Sequence, residues 1–325
     1  MDTSKIFNIN SQEDFNAITF EVYQLQYKHN NVYHEFCNYL KRTPDKVMTI
    51  EDIPFLPIEF FKSKKVISSN RAPKITFTSS GTTGSETSKH YVTDLTLYEE
   101  SYLNGFTHFY GAISDYCVLA LLPSYLERQG SSLIYMVNDL IQKSKHPESG
   151  FYLHDTKSLT ETLVSLDNKG TKVLLIGVSF ALLDLVERYP LNLENVIVME
   201  TGGMKGRRKE MIREELHDIL KTRFGVKQIH SEYGMTELLS QAYSKGNGIF
   251  ETPPWMNILI RDTEDALSYQ STGKTGGINV IDLANSNSCS FIATQDLGKQ
   301  LTNTTFEILG RFDHSDIRGC NLLVL

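Results

Sequence analysis

Thr78-Ser79-Ser80-Gly81-Thr82-Thr83-Gly84-Ser85-Glu86-Thr87-Ser88-Lys89 is the stretch that decides how the rest of this 325-residue chain is read. Ahead of it, Ile75-Thr76-Phe77 is a β-branched and aromatic run of the kind that forms a buried strand. Behind it, His90-Tyr91-Val92-Thr93 is another. Gly81 and Gly84 let the backbone turn through positive φ and approach a ligand closely. Around them stand the hydroxyls of Thr78, Ser79, Ser80, Thr82, Thr83, Ser85, Thr87 and Ser88. Amides and hydroxyls on such a loop, closed by the Lys89 ammonium, suit a polyphosphate. The spacing is not that of a Walker loop, which needs a glycine where Glu86 stands. A solvated Ser/Gly linker is the plainer reading of this composition. The shortness of the segment and its strand-like flanks speak against that.

Composition sets the outer bounds. With 40% hydrophobic and 22% charged residues, the chain reads as an ordinary soluble globular protein with a sizeable core. A net charge of −7 argues against a nucleic-acid partner or an anionic membrane surface. No apolar run approaches the ~20 residues needed to span a bilayer. The N-terminus lacks the basic-then-apolar pattern of a signal peptide. Cys37, Cys117, Cys289 and Cys320 are scattered with no CxxC pair, which reads as reduced thiols in a cytoplasm.

Phe15, Ile18, Val22 and Leu25, then Val32, Phe36, Tyr39 and Leu40, recur at helical spacing and predict two helices over 11–43. Ile53–Lys62, with Pro54 and Pro57, predicts a packed irregular connector. After the loop, helices are expected over 95–109, 130–141, 156–166, 180–188 and 209–221. Strands are expected over 116–122, 173–178, 196–199 and from 228. Such alternation means a parallel α/β sheet. From about residue 246 helical periodicity vanishes. Short runs at 255–260, 277–282, 290–294 and 305–309 predict an antiparallel β subdomain. The expected division is therefore a helical region at 1–70, an α/β core at 71–245, and a β subdomain with tail at 246–325.

Ligands in open α/β sheets sit beyond the C-terminal ends of strands. Thr201-Gly202-Gly203-Met204-Lys205 lies at such a place, and its glycines would let backbone lie flat against a planar ring; a plain turn is the alternative. Ser231-Glu232-Tyr233-Gly234-Met235-Thr236-Glu237 lies at another. It offers a hydroxyl and a carboxylate suited to phosphate-bound magnesium, and an aromatic face for a base. His230 beside it is either a contact for the substrate or a structural histidine. Thr294-Gln295-Asp296-Leu297-Gly298 and Gly310-Arg311-Phe312-Asp313 complete the set.

In this order the four motifs resemble the hallmarks of the adenylate-forming ligases, the superfamily of acyl-CoA synthetases, luciferases and peptide-synthetase adenylation domains. The resemblance implies an α/β fold, the N-terminal core of these ligases, with mostly parallel sheets flanked by helices and a smaller antiparallel β subdomain. It implies ATP and Mg2+ as cofactors. Thr78, Ser79, Ser80, Gly81, Thr82, Thr83, Gly84 and Lys89 would hold the β- and γ-phosphates. Gly202, Gly203 and Tyr233 would pack on the adenine, and Gly234 would belong to the cofactor-binding set. Thr236 would bind the α-phosphate, Glu237 the magnesium, and Asp296 and Arg311 the ribose. Typical members continue for about another domain beyond the Gly-Arg hinge, on the order of 100 residues. Here the chain stops at Leu325, so the full C-terminal lid domain and its lysine are expected to be absent.

The chain resembles a smaller branch, the LuxE-type acyl-protein synthetases, better than it does typical acyl-CoA synthetases, through Pro54–Lys62, Thr78–Lys89, Tyr233–Glu237 and Ser315–Leu323. That resemblance implies a carboxylic acid, of the fatty-acid class, as substrate and Cys320 as the thiol that accepts the acyl group from acyl-AMP. It also implies an acyl reductase, acyltransferase or acyl carrier as the protein partner. A compact acyl-CoA or carrier ligase, or a non-catalytic nucleotide-binding subunit, are the alternatives. A buried, inert cysteine is the alternative for Cys320.

Overall fold

The computed structural model of the protein describes residues 2–79, 86–123, 129–202 and 211–312. Helices α1 (Gln12–His29) and α2 (Asn31–Tyr39) lead into the short strand β1 (Leu56–Pro57) and the one-turn helix α3 (Phe60–Ser63). Strands β2 (Ile75–Thr78) and β3 (Lys89–Val92) then form a hairpin on either side of the hydroxyl-rich loop. An alternating series follows: α4 (Leu95–Tyr110), β4 (Cys117–Leu121), α5 (Ser132–Ser144), β5 (Gly150–Phe151), α6 (Thr156–Asn168), β6 (Val173–Val178), α7 (Ser179–Arg188), β7 (Val196–Thr201), α8 (Arg213–Phe224) and β8 (His230–Tyr233). The last strands are β9 (Ala242–Ser244), β10 (Ile249–Glu251), β11 (Met256–Arg261), β12 (Thr275–Asp282), β13 (Phe291–Gln300) and β14 (Thr305–Arg311).

The helices begin where the sequence supplies caps. Ser11 accepts a hydrogen bond from Asp14 N at the start of α1, with Glu13 and Asp14 in the first turn and Lys28 and His29 in the last. Asp94 caps α4 and Asp155 caps α6 in the same way. Every residue of β4 and β6 is buried, which explains why their sequences are continuous apolar runs. Each fully buried Leu or Val there contributes about 1.5–3 kcal/mol.

Among the described residues one large mixed sheet runs β11-β12-β13-β14-β10-β9-β8-β7-β6-β4-β5, with β1 joined in parallel to β13. The stretch from β8 to β5 is parallel. The antiparallel strands continue this same sheet through the β8–β9 pairing, so they are not a separate layer packed beside it. The 130–141 and 209–221 helices lie a few residues further on, at Ser132–Ser144 and Arg213–Phe224. In the second case Gly225, at φ 72°, sets the end. A Cβ there would lie 2.6 Å from Asn192 Cα, so the position needs glycine on both counts. β1, α3 and β5 are too short to show a period in the sequence. Among the described residues no helix is long and apolar enough to cross a membrane.

The N-terminal helices are fastened to the sheet by polar contacts as well as apolar ones. Gln26, fully buried on α1, donates to Asn285 O, Ser286 O and Ser290 Oγ and accepts from Ser290 N. Asn30 donates to Ser288 O at 2.9 Å. Cys37 packs in the core, as expected of a small apolar-like residue.

Candidate active site

The site is built at the C-terminal ends of β7 and β8, facing the β2–β3 hairpin. In that hairpin Thr78 pairs with Lys89 and Phe77 with His90. The base of the loop is closed by Ser79 N to Ser88 O at 3.2 Å and Ser88 N to Ser79 Oγ at 3.0 Å. Thr78 N donates to Gly130 O at 2.7 Å. The hydroxyls of Thr78, Ser79 and Ser88 therefore start from a fixed rim. Ser80, Gly81, Thr82, Thr83 and Gly84 lie outside the described residues, as do Gly203 and Cys320.

The segment Gly234–Ser240 leaves β8 and is held from three directions. Buried Asp282 accepts from Leu239 N at 2.7 Å, from Ser240 N at 3.0 Å and from Ser240 Oγ at 2.5 Å. Asn285, also fully buried, donates from Nδ2 to Glu237 O at 2.8 Å and to Cys289 O at 2.9 Å. Those two bonds fix the orientation of the amide and leave Oδ1 2.9 Å from His90 Nε2. The other ring nitrogen of His90, Nδ1, lies 2.8 Å from Thr236 O. The asparagine thus pins the Glu237 carbonyl, and the histidine ring stands against the Thr236 carbonyl. Burial pushes the His90 imidazole down to about 4, so near neutral pH the ring carries one proton. Both of its nitrogens face oxygen acceptors, and only one of those contacts is then a hydrogen bond.

At the other edge Tyr233 O–H donates to Asp296 Oδ2 at 2.8 Å, a bond from β8 to β13. Arg311 stands opposite Asp296 in the β13–β14 register, with Nε 3.3 Å from Oδ1. Tyr233 rests edge-on against Phe250 and Phe306, with ring centroids 6.2 and 6.1 Å away. Gly202 closes β7 at φ 61°, a conformation few other residues adopt. Its carbonyl accepts from Ser179 Oγ at 3.2 Å. A Cβ at Gly234 would meet the end of the Glu232 carboxylate, so a larger residue there would have to displace that side chain.

These residues open onto one cavity of about 1600 Å3. Thr78, Ser79, Ser88, Gly202, Tyr233, Gly234, Thr236, Glu237, Asp296 and Arg311 all line it. Lys89 is exposed and is not among the described lining residues, whereas Lys62 is. In β3 the buried side chain next to Lys89 is His90, which faces the Thr236 segment. His230 does not line the cavity; it sits 3.2 Å from the Tyr110 hydroxyl, and burial pushes it down to about 4. Apolar lining comes from Tyr98, Leu122, Leu133, Ile134, Met136 and Val178. Phe61 and Phe106 are core residues.

Two carboxylates in the cavity are held above their ordinary range. Burial raises Glu237, opposed by a hydrogen bond from Ser88 and by the charges of Arg311 and Lys62. Burial also raises Asp296, against the Tyr233 hydrogen bond, Arg311 and Arg261. The donor set is entirely hard oxygen, the kind that suits Mg2+ and phosphate. No group of three or more His, Cys, Asp and Glu placed to hold a metal ion by itself is found among the described residues. Glu237 is a carboxylate that would suit a magnesium ion brought in on the phosphates. By donor type, the hydroxyl rim fits the phosphates of a nucleotide, Asp296 with Arg311 its ribose, and the Tyr233 face with Gly202 its base.

This fold, with a substrate-sized cleft where the parallel strands end, is that of the adenylate-forming ligases. The structure of 2-hydroxyisobutyryl-CoA ligase in complex with 2-HIB-AMP and CoA matches over 93% of this chain and 75% of its own. The TM-score is 0.66, at 12% identity. Apo MatB from Rhodopseudomonas palustris matches over 73% of this chain and 47% of its own, at TM-score 0.54 and 15% identity. ATP-bound MatB from the same organism gives TM-score 0.54 at 16% identity, over 75% and 49% of the two chains. The chain thus spans about half the length of MatB. In sequence, the family model described as Acyl-protein synthetase, LuxE, matches residues 5–96. The matched segment runs from α1 through Pro54–Lys62 and the hydroxyl-rich loop into α4, so the resemblance read from the sequence is found there too. No curated protein matches the chain.

Proposed function

We propose that the protein is an ATP-dependent acid-activating ligase, an acyl-protein synthetase that forms acyl-AMP and passes the acyl group to Cys320. The observation that carries this reading is the convergence on one cavity of the hydroxyl rim at Thr78–Ser79 and Ser88, the Thr236–Glu237 segment and the Asp296–Arg311 pair. In the first step a carboxylate oxygen attacks the α-phosphorus of ATP. The bond to the β-phosphate breaks, and pyrophosphate leaves with the electron pair. The chain needs no nucleophile for this. Its contribution is positioning and charge neutralisation. Thr236 and the loop would donate to phosphate oxygens, Glu237 would hold the magnesium, and Asp296 would accept from the ribose hydroxyls. Magnesium, when bound, neutralises the phosphate charge. In the second step the Cys320 thiolate attacks the acyl carbonyl and AMP departs, leaving a thioester for an acyl reductase, acyltransferase or carrier partner. The apolar wall of Leu122, Leu133, Ile134 and Met136 fits an acid with a hydrocarbon body.

The experiment is pyrophosphate release across acids from acetate through long-chain fatty acids to aryl acids. Acid-dependent release is expected, strongest with an apolar chain. No release with any acid, despite ATP binding, overturns the reading in favour of a non-catalytic nucleotide-binding subunit. A second measurement addresses the thiol. With ATP and the preferred acid, hydroxylamine-labile acylation should appear on the wild type and disappear in Cys320→Ser, while pyrophosphate release in the first turnover stays. Acylation that survives the substitution removes Cys320 from the mechanism.

A further inference from the structure

Acid activation joins two anions, a carboxylate and a triphosphate, and their approach needs positive charge at the junction. Four Lys and Arg side chains stand among the described residues that line the cavity: Lys62, Arg213, Lys221 and Arg311. Three of them are engaged. Arg213 donates to Ile308 O at 2.7 Å and lies 3.7 Å from Glu200. Lys221 sits 2.8 Å from Asp218, and Arg311 sits 3.3 Å from Asp296. Lys62 has no hydrogen bond or ion pair of its side chain among the described residues, yet its charge is felt at Glu237.

The backbone that carries Lys62 is fixed on both sides of the site. Ile58 N donates to Ala293 O at 3.0 Å, which ties α3 to β13 three residues before Asp296. The Glu59 side chain accepts from Gln295. Phe61, fully buried, lies edge-on to the His90 ring at 5.8 Å. A flexible ammonium on a rigid base, between the Glu237 segment and the Asp296 strand, is placed to meet a ligand anion.

We propose that Lys62 is a catalytic residue that holds the acid's carboxylate against the α-phosphate while the new P–O bond forms. This rests on the acid-activation reading above and adds a residue to it. Lys62 keeps its proton throughout; it lowers the repulsion between the reactants, and the electron pair of the broken bond still leaves with pyrophosphate.

The test is steady-state pyrophosphate release by Lys62→Met, with acid and ATP varied separately. A charge-assisted contact of about 1.5–3 kcal/mol corresponds to roughly a 10- to 100-fold rise in the KM for the acid. The KM for ATP should stay within about twofold, because the loop and Thr236 still hold the phosphates. An unchanged acid KM, or equal rises for acid and ATP, overturns the proposal. A second measurement uses the wild type and needs no variant to fold. Amine-selective labelling of Lys62 should be blocked by a non-hydrolysable acyl-sulfamoyl adenosine, while labelling of Lys5 continues. Lys62 that stays reactive with the analogue bound overturns the proposal. If the wild type neither releases pyrophosphate with any acid nor binds the analogue, the ligase reading itself falls and this inference falls with it.

Discussion

Glu237→Gln should abolish acid-dependent pyrophosphate release and at the same time raise the melting temperature of the free protein. The two effects have one cause. Burial lifts the Glu237 carboxyl above its ordinary value, and Ser88, Arg311 and Lys62 offset this only in part. A carboxyl whose folded pKa exceeds its unfolded one favours the folded state while protonated. That contribution is complete below the unfolded pKa and is lost as pH rises through the folded one. Near neutral pH the ionised side chain is thus a strained guest in the apo protein, and a neutral amide of the same shape relieves it. Catalysis needs the charge. Deleting one preorganised stabiliser of this kind typically lowers kcat by about 100- to 1000-fold. Thermal denaturation with and without Mg-ATP separates the roles: wild type should gain stability from Mg-ATP, and the variant should gain little. If Glu237 has the proposed magnesium role, the acid limb of activity in wild type should lie above the ordinary glutamate range, because protonation removes the form that would bind the metal. Turnover by Glu237→Gln at the wild-type rate would remove Glu237 from the metal site.

Much of the architecture was legible because burial on both faces leaves a strong trace. β4, β6 and β7 are apolar runs separated by helices of ten or so residues, and that spacing has few other solutions. The motif residues were legible for a different reason: glycine, hydroxyl and acidic residues at strand ends serve a ligand more than a core. What could not be read is the support behind them. His90 and Asn285 are 195 positions apart, and Glu237 and Asn285 are 48 apart. Single polar residues in a chain carry no sign that they will meet. His230 drew notice because it adjoins a motif, yet its ring goes to Tyr110, while His90 adjoins the loop and faces the site. Strand alternation held the one usable clue. If Lys89 faces outward, His90 must face inward.

That hidden support gives the second large effect. Asn285→Ala should destabilise the protein by about 2–4 kcal/mol and lower turnover in the fraction that stays folded. The alanine leaves Glu237 O and Cys289 O without their donor in a site with no exposure, and each unpaired buried acceptor costs about 1–3 kcal/mol. The total falls below the sum of two full penalties, because the contact between Asn285 Oδ1 and a neutral His90 ring is relieved. Asp282 still grips Leu239 and Ser240, so the segment is expected to loosen at Thr236 and Glu237 and to stay anchored beyond them. Urea denaturation gives the first number. The second readout is the magnesium concentration at half-maximal pyrophosphate release, which should rise several-fold while the KM for the acid stays near wild type. If stability falls but magnesium dependence does not move, Asn285 supports the fold alone. Glu237 would then owe its geometry to Ser88 and to the turn that follows β8.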